Sequence, residues 1–435
     1  MEVLLIAIFV FGYLGITLEH TIKQDKLIPA LMMMGLMWAI IALGHLPVFD
    51  IDSELRQLVP SNLENTLLHH LGKTAEILVF LMGAMTIVEI TDHFNGFGSI
   101  KQFIKTRDRR VLLWIMGVLA FLLSAIIDNL TATIVLITIL KKLVPDAKTR
   151  MWYAGMIVIA ANAGGAWSPI GDVTTTMLWI GKKVTTEYLV SHLVVPSLFV
   201  MVVPFIIASM MPAFKGTIDI PQDDAEDRAA SLGMLLLGLG AIIFVPVFKT
   251  ITHLPPYIGM MLSLAVVAAF AEIKSHREFK VSDVVHHHSP VHQCLGRIEM
   301  PSILFFLGIL MAVAALESVG ELFRFAEGLN TAIPNTDIVI ILLGIGSAVI
   351  DNVPLVAASM GMFSYPADHY IWHFIALSAG TGGSMLIIGS AAGVVAMGME
   401  KMDFMWYLKN IAWLAAIGFL AGCGVFVLMV KFLFT

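Results

Sequence analysis

Two short stretches of this chain carry residues able to hold a cation or a proton: Ser124-Ala-Ile-Ile-Asp128-Asn129 and Ser347-Ala-Val-Ile-Asp351-Asn352. Each sets a hydroxyl, a carboxylate and a carboxamide inside an otherwise apolar run. The copies lie 223 positions apart, about half the chain. Ionisable groups in such surroundings are costly and by default functional. Their recurrence at corresponding places in two halves points to a carrier built from repeats, with its site where the repeats meet.

A second pair of stretches follows. Asn162-Ala-Gly164-Gly165-Ala-Trp-Ser168-Pro169-Ile-Gly171-Asp172 aligns with Gly380-Thr381-Gly382-Gly383-Ser384-Met-Leu-Ile-Ile-Gly389-Ser390. Glycine and proline inside a span break the helix and free backbone carbonyls. Discontinuous helices of this kind form ion sites in transporters.

The motifs supply Asp128, Asp351 and Asp172, a formal charge of −3 if ionised, and contain no Lys or Arg. A helix N-terminus carries only about +0.5 charge, so the acids outweigh the dipoles and the site suits a cation. Asn129, Asn352, Asn162, Ser124, Ser347, Thr131, Thr133, Thr174, Thr175 and Ser384 add hard oxygen donors. Such donors suit alkali and alkaline-earth ions, and the absence of Cys and His from the motifs argues against zinc or copper. Asp128, Asp351 and Asp172 are the expected metal ligands.

The same acids offer proton coupling. A carboxyl shielded from water and set near another holds a proton more readily. Proton and metal cation can then compete for one site, which gives antiport. Which Asp carries the coupled proton stays open. Glu76, in step with Glu299 at the same spacing of 223, is a candidate for the proton path. A structural alternative exists for Asp128 and Asp351, because Asp and Asn also cap helices.

Ser-Ala-x-Ile-Asp-Asn followed by Gly-Gly-x-x-Ser-Pro-Ile-Gly-Asp resembles the NhaD-type sodium/proton antiporters of the ion transporter superfamily, over nearly the whole chain. The resemblance implies that sodium or lithium leaves the cell as protons enter, with no enzymatic activity and no cofactor. It also implies an inner (plasma) membrane location, a homodimer, and elevator-like movement of a hairpin domain against a scaffold. Carried over, the site falls on Ser124, Asp128, Asn129, Asn162, Asp172, Thr174 and Thr175 in the first half. In the second it falls on Ser347, Asp351, Asn352, Thr381 and Ser384. Pro354 in place of Thr131, Gly380 in place of Asn162 and Ser390 in place of Asp172 make the expected site asymmetric. Related carriers of dicarboxylates or arsenite place Ser-Asn-Thr type motifs at the hairpin tips. Asp at 128 and 351 favours the cation branch over that alternative.

These groups need elements that hold them at membrane depth. The chain has 435 residues, of which 13% are charged. Soluble domains carry roughly 25%. With a mean hydropathy of +0.88, this reads as an all-α polytopic membrane protein. Full-length candidate spans are 2–19, 27–44, 75–92, 151–181, 187–212, 232–249, 256–272, 301–318, 373–399 and 405–431. Two further apolar regions, 111–140 and 338–363, are interrupted by the Asp-Asn pairs. The arms after those pairs, 130–140 and 353–363, reach only ~16 Å, about half of a ~30 Å hydrocarbon core. Re-entrant helical hairpins with Asp-Asn at the tips follow.

The first hairpin is flanked by Lys101, Lys105, Arg107, Arg109 and Arg110 before, and by Lys141, Lys142, Lys148 and Arg150 after. Both flanks are therefore cytoplasmic. The second is flanked by Glu321, Arg324, Glu327 and Asp337, then Asp368, and sits outside. The hairpins enter from opposite sides. The result is two inverted repeats, 1–212 and 232–435, each with a re-entrant hairpin and a discontinuous helix, joined by a cytoplasmic linker over 213–231. The loop histidines His286–His288 and His292 read as solvated, and Cys294 and Cys423 make no disulfide framework. An intramembrane aspartyl protease would need Tyr-Asp and Gly-x-Gly-Asp motifs, and a primary pump a phosphate-binding loop; the chain contains neither. The expected partners are small cations, protons, the bilayer and a second copy, with no nucleic acid.

Overall fold

The long apolar runs fold as helices, and the breaks fall where the sequence sets acids, prolines and glycine pairs. The computed structural model describes residues 1–17, 24–52, 57–101, 104, 106–218, 231–279, 289–298, 300–333, 335–349 and 352–433. Asp351, Glu299, His286–His288 and residues 219–230 of the linker lie outside the described residues.

Seven described helices are long and apolar enough to cross a membrane: Leu63–His93, Arg109–Ile127, Thr186–Met210, Leu232–Thr252, Pro256–Ser275, Met300–Ser318 and Ala412–Phe432. Leu27–Leu43 packs on Met300–Ser318, and Leu63–His93 on the helix beginning at Pro256, which also packs on Leu232–Thr252. These helices form one bundle, here called the scaffold. The second bundle holds the helices carrying the repeated motifs, clasped by Thr186–Met210 and Ala412–Leu433.

In the second bundle, Arg109–Ile127 and Asn129–Leu143 form a helical hairpin broken at Asp128. Thr336–Gly346 and Asn352–Met362 form the arms of the other. Each is followed by a broken helix: Ala147–Gly165 then Val173–Ile180, and Tyr370–Gly382 then Ala391–Glu400. Each broken helix starts beside its own hairpin and ends beside the other. Arg150, in the first turn of one, pairs with Glu400 at the end of the other at 2.9 Å. At the opposite end Asp368 accepts from the Thr185 backbone N–H at 2.7 Å, and its own N–H donates to Lys183 O at 2.9 Å. The hairpin bases therefore lie at opposite ends of this bundle.

Several boundaries differ from the sequence reading. The helix expected over 75–92 begins at Leu63, where Asn62 caps it by accepting from Glu64 N at 2.9 Å. The arm after Asp128 has 15 residues, because Lys141 and Lys142 extend the helix past the apolar run. The last span is split into Phe404–Asn410 and Ala412–Leu433. A two-stranded antiparallel pair, Val48–Asp52 with Gln57–Ser61, was not expected.

Candidate functional site

Asp172 is the hub. It ends the first broken stretch and caps Val173–Ile180, with Oδ1 accepting from Thr174 N at 3.3 Å. Its Oδ2 accepts from Asn129 Nδ2 at 3.3 Å and from Asn352 Nδ2 at 3.1 Å. Asn129 Nδ2 also donates to Asn162 Oδ1 at 3.0 Å, and Asn162 Nδ2 donates to Ser390 Oγ at 3.0 Å. Ser390 caps Ala391–Glu400 as Asp172 caps its own half-helix. One network thus joins both hairpin tips and both helix breaks. Its members are all buried: Asp172 is 3% exposed and Asn162 0%, so the network is shielded from bulk water.

Asp128 lies at the first tip. Its Oδ1 accepts from Thr131 N and its Oδ2 from Thr131 Oγ1, both at 2.8 Å. The carboxylate therefore caps Asn129–Leu143, as the structural alternative held. Capping alone does not explain the backbone: φ is 80° and ψ is 158°. That region is essentially reserved for glycine and costs a side chain roughly 1–3 kcal/mol. A capping residue ordinarily has relaxed extended dihedrals, as Asp108 does at φ −74° and ψ 127°. Strain held at a tip is a mark of a functional position.

The flanking motif residues buttress the tips in matched fashion. Ser124 Oγ donates to Ala161 O at 2.6 Å, and Ser347 Oγ to Ala379 O at 2.7 Å. A Cβ on Gly164 would collide with the backbone of Phe121, and one on Gly382 with that of Gly344. The glycine pairs are therefore where each broken helix touches its hairpin backbone to backbone. Thr175 Oγ1 bonds Asp172 O at 2.9 Å, whereas Thr381 turns back to Leu377 O and Ser384 to Thr381 O. Thr381 and Ser384 lie in the second break and make no bond within the network above.

The chemistry of the donor set fits a small cation as transported substrate. Thr174 Oγ1 is fully buried and has no hydrogen-bond partner among the described residues. A Cβ on Gly380 would lie 3.5 Å from Asp172 Oδ2 and 3.7 Å from Thr174 Oγ1, so its absence leaves room beside both. Asp172, Asn162 Oδ1 and Thr174 Oγ1 are hard oxygens of the kind alkali ions take.

The site lies at the seam between bundles. A cavity of 80 Å³ there is lined by Asp128, Asn129, Thr131, Asp172 and Asn352 from one bundle and by Lys26, Phe80 and Met260 from the other. Sequence reasoning missed Ser390 and Lys26. Ser390 was visible only as the aligned counterpart of Asp172; Lys26 stands outside every motif. Toward the other end of the seam, a cavity of 370 Å³ is lined by His69, His70, Lys73, Lys183 and Glu317. Burial there holds the Lys183 ammonium below the ordinary lysine range, against the opposing pull of Glu317. Glu76 is partly buried and lines neither cavity.

Two packed helical bundles, helices broken at depth and a polar cluster between them define a multi-pass membrane transporter. Residues 5–374 match the family described as citrate transporter, and the chain belongs to that family. It is similar to sodium/proton antiporter 1 of Arabidopsis thaliana, at 42% identity over 97% of this chain and 71% of that one. It is also similar to the Na(+)/H(+) antiporter NhaD of Alkalimonas amylolytica, at 32% identity over 97% and 89% of the two chains. The crystal structure of the Alcanivorax borkumensis YdaH transporter shares the fold, with a TM-score of 0.58 at 12% identity over 94% of this chain and 98% of that one. The NhaD-type resemblance read from the motifs is thereby shown.

Proposed function

We propose that this chain exchanges sodium, and lithium, for protons, with cation efflux driven by proton uptake across an inner membrane. The observation that carries it is the Asp172 carboxylate, bonded by Asn129 and Asn352 from the two hairpins at the seam. The names of the Arabidopsis thaliana and Alkalimonas amylolytica relatives, both sodium/proton antiporters, support the same substrates. Asp128 in the same cavity supplies a second acid, and Asp351 a third by its place in the repeated motif. With a proton on the site, or a sodium ion in its place, the net charge is the same, so both loaded forms can cross alike. An unloaded site keeps its bare carboxylate and crosses poorly.

The reading includes two inverted repeats, 1–212 and 232–435, with 213–231 as a cytoplasmic linker, re-entrant hairpins and a homodimer. The matched Ser124 and Ser347 bonds and the reciprocal contacts at Glu400 and Asp368 support the repeats. The family's description favours a second reading, a carboxylate carrier, and Lys26 in the cavity is in its favour. Two carboxylates in that cavity oppose it.

The test is a proton gradient across proteoliposomes. Sodium should collapse it in the wild type, while Asp128→Asn and Asp351→Asn should each abolish most of the response. Citrate-driven collapse without any sodium response would select the carboxylate carrier instead.

A further inference from the structure

The first arm of the first hairpin, Arg109–Ile127, touches the clasping helix Thr186–Met210 closely at one point. A Cβ on Gly117 would collide with the Phe205 ring, so the missing side chain seats that ring against the helix. One turn nearer the basic end, Trp114 tilts on the same ring, and its Nε1 donates to Ser209 Oγ at 3.0 Å. Beside that bond lies a groove of 470 Å³, lined by Arg110, Trp114, Ile206, Ser209, Met210 and Lys215.

A short backbone pairing builds the rim of the groove. Ile218 N donates to Arg107 O at 2.8 Å, and Arg109 N donates to Gly216 O at 3.1 Å. The chain that follows the clasping helix is thereby tied to the start of the hairpin, and Lys215 and Arg110 line one groove. Among the described residues neither of these cationic side chains has an acidic partner. The acid next to them in the chain is Asp108. Its Oδ1 accepts from Arg110 N at 2.8 Å and from Val111 N at 3.0 Å. Asp108 thus takes up the free N–H groups of the helix start, and an anion here has to be held by the side chains. Two cations against one acid leave the groove positive.

The rest of the groove is apolar and faces outward. Val118 and Leu122 follow Trp114 at four-residue spacing, and Phe199 and Val195 continue the face of Ile206. All four are exposed, on helices long and apolar enough to cross a membrane. An indole between a cationic rim and exposed apolar helix faces is the pattern of a membrane–water interface. A free anion needs only the two cations. Cations continuous with an apolar furrow suit a molecule that carries a charged head and a hydrocarbon tail. Basic pockets between transmembrane helices hold the headgroups of anionic lipids in this way.

We propose that this groove binds an anionic phospholipid. Its phosphodiester sits between Arg110 and Lys215, and an acyl chain runs along Val118, Leu122 and Phe199. Arg110 belongs to the first hairpin and Lys215 follows the clasping helix, so the lipid joins the hairpin's base to that helix. Placing the lipid in the cytoplasmic leaflet rests on the topology proposed above; the binding itself requires no ion exchange.

The test uses the full chain in detergent, titrated with phosphatidylglycerol or phosphatidylcholine. Native mass spectrometry of the intact complex gives the affinity for the first bound lipid. A cation beside an anionic headgroup contributes about fivefold to its attraction. Phosphatidylglycerol should therefore bind at least about fivefold more tightly than phosphatidylcholine. Arg110→Gln and Lys215→Gln should each weaken phosphatidylglycerol about fivefold. Arg107 is an exposed cation of the same segment that does not line the groove, and Arg107→Gln should change the affinity less than about twofold. An equal loss in Arg107→Gln would mean diffuse attraction to a basic surface and would overturn the groove. Equal affinities for the two lipids would overturn it as well. Displacement of the lipid by millimolar inorganic phosphate would make this a free-anion site and not a lipid site. Should Arg110→Gln fail to fold, Lys215→Glu decides, since it reverses the charge of an exposed side chain. Weakened phosphatidylglycerol binding supports the proposal, and unchanged binding overturns it. A wild type that shows no sodium/proton exchange would defeat the functional reading but leave these lipid affinities standing.

Discussion

Asn352 Nδ2 lies 3.1 Å from Asp172 Oδ2, although the two residues are 180 positions apart in the chain. The same oxygen accepts from Asn129 in the other hairpin. One carboxylate therefore holds both tips, so a change in its charge would be felt by both hairpins.

Asp172→Asn keeps the size and removes the charge. Exchange should fall about 10- to 100-fold, since each tenfold corresponds to about 1.4 kcal/mol and a buried charge-assisted bond is worth about 1.5–3 kcal/mol. Sodium-dependent collapse of a proton gradient measures it. A thermal melt should show the protein still folded.

Asp128 separates strain from chemistry. Asp128→Gly relieves a backbone held at φ 80° and should leave stability unchanged or raise it by about 1 kcal/mol, because glycine is a tolerable cap. The same variant lacks the acid, so exchange should be lost. A variant that is both stable and fully active would make Asp128 a cap and nothing more.

Ser390→Ala removes the partner of Asn162 Nδ2 and the cap of Ala391–Glu400. The expected loss is about 1–3 kcal/mol of stability, with weaker sodium affinity, because Asn162 loses its fixed orientation. Ser390→Thr should retain most of both. Melting temperature and half-saturating sodium concentration report the two effects separately.

Much of the site was legible because its chemistry is rare in an apolar chain. Asp128, Asn129, Asn162, Asp172 and Asn352 stand out against their runs, and the spacing of 223 pairs the halves. Lys26 was not legible. A lysine at the start of a span ordinarily reads as an interfacial anchor, and only the packing of its helix on Met300–Ser318 brings it to the cavity. Helix ends also escaped: Lys141 and Lys142 look like loop residues, yet a helix already formed continues through lysine at little cost. Which hydroxyls turn to the backbone was not legible either, because Ser and Thr in helices readily bond their own backbone carbonyls, as Thr381 does.

The hairpins carry a topological prediction. Cysteines placed over 101–110 and 141–150 should react from the cytoplasmic side, and those over 321–333 and 365–370 from outside. Flanks of one hairpin reacting from opposite sides would mean that it crosses the membrane and that the repeats are not inverted.

Competition between sodium and a proton for the acids at the seam is tested most directly by the apparent sodium affinity of wild-type proteoliposomes as a function of pH. Where the site is mostly protonated, affinity should weaken about tenfold for each unit fall in pH per competing proton, equivalent to about 1.4 kcal/mol. At higher pH it should level off. A sodium affinity that stays flat across the active range, with only the maximal rate changing, would contradict a shared site and send the proton through another acid, Glu76 first.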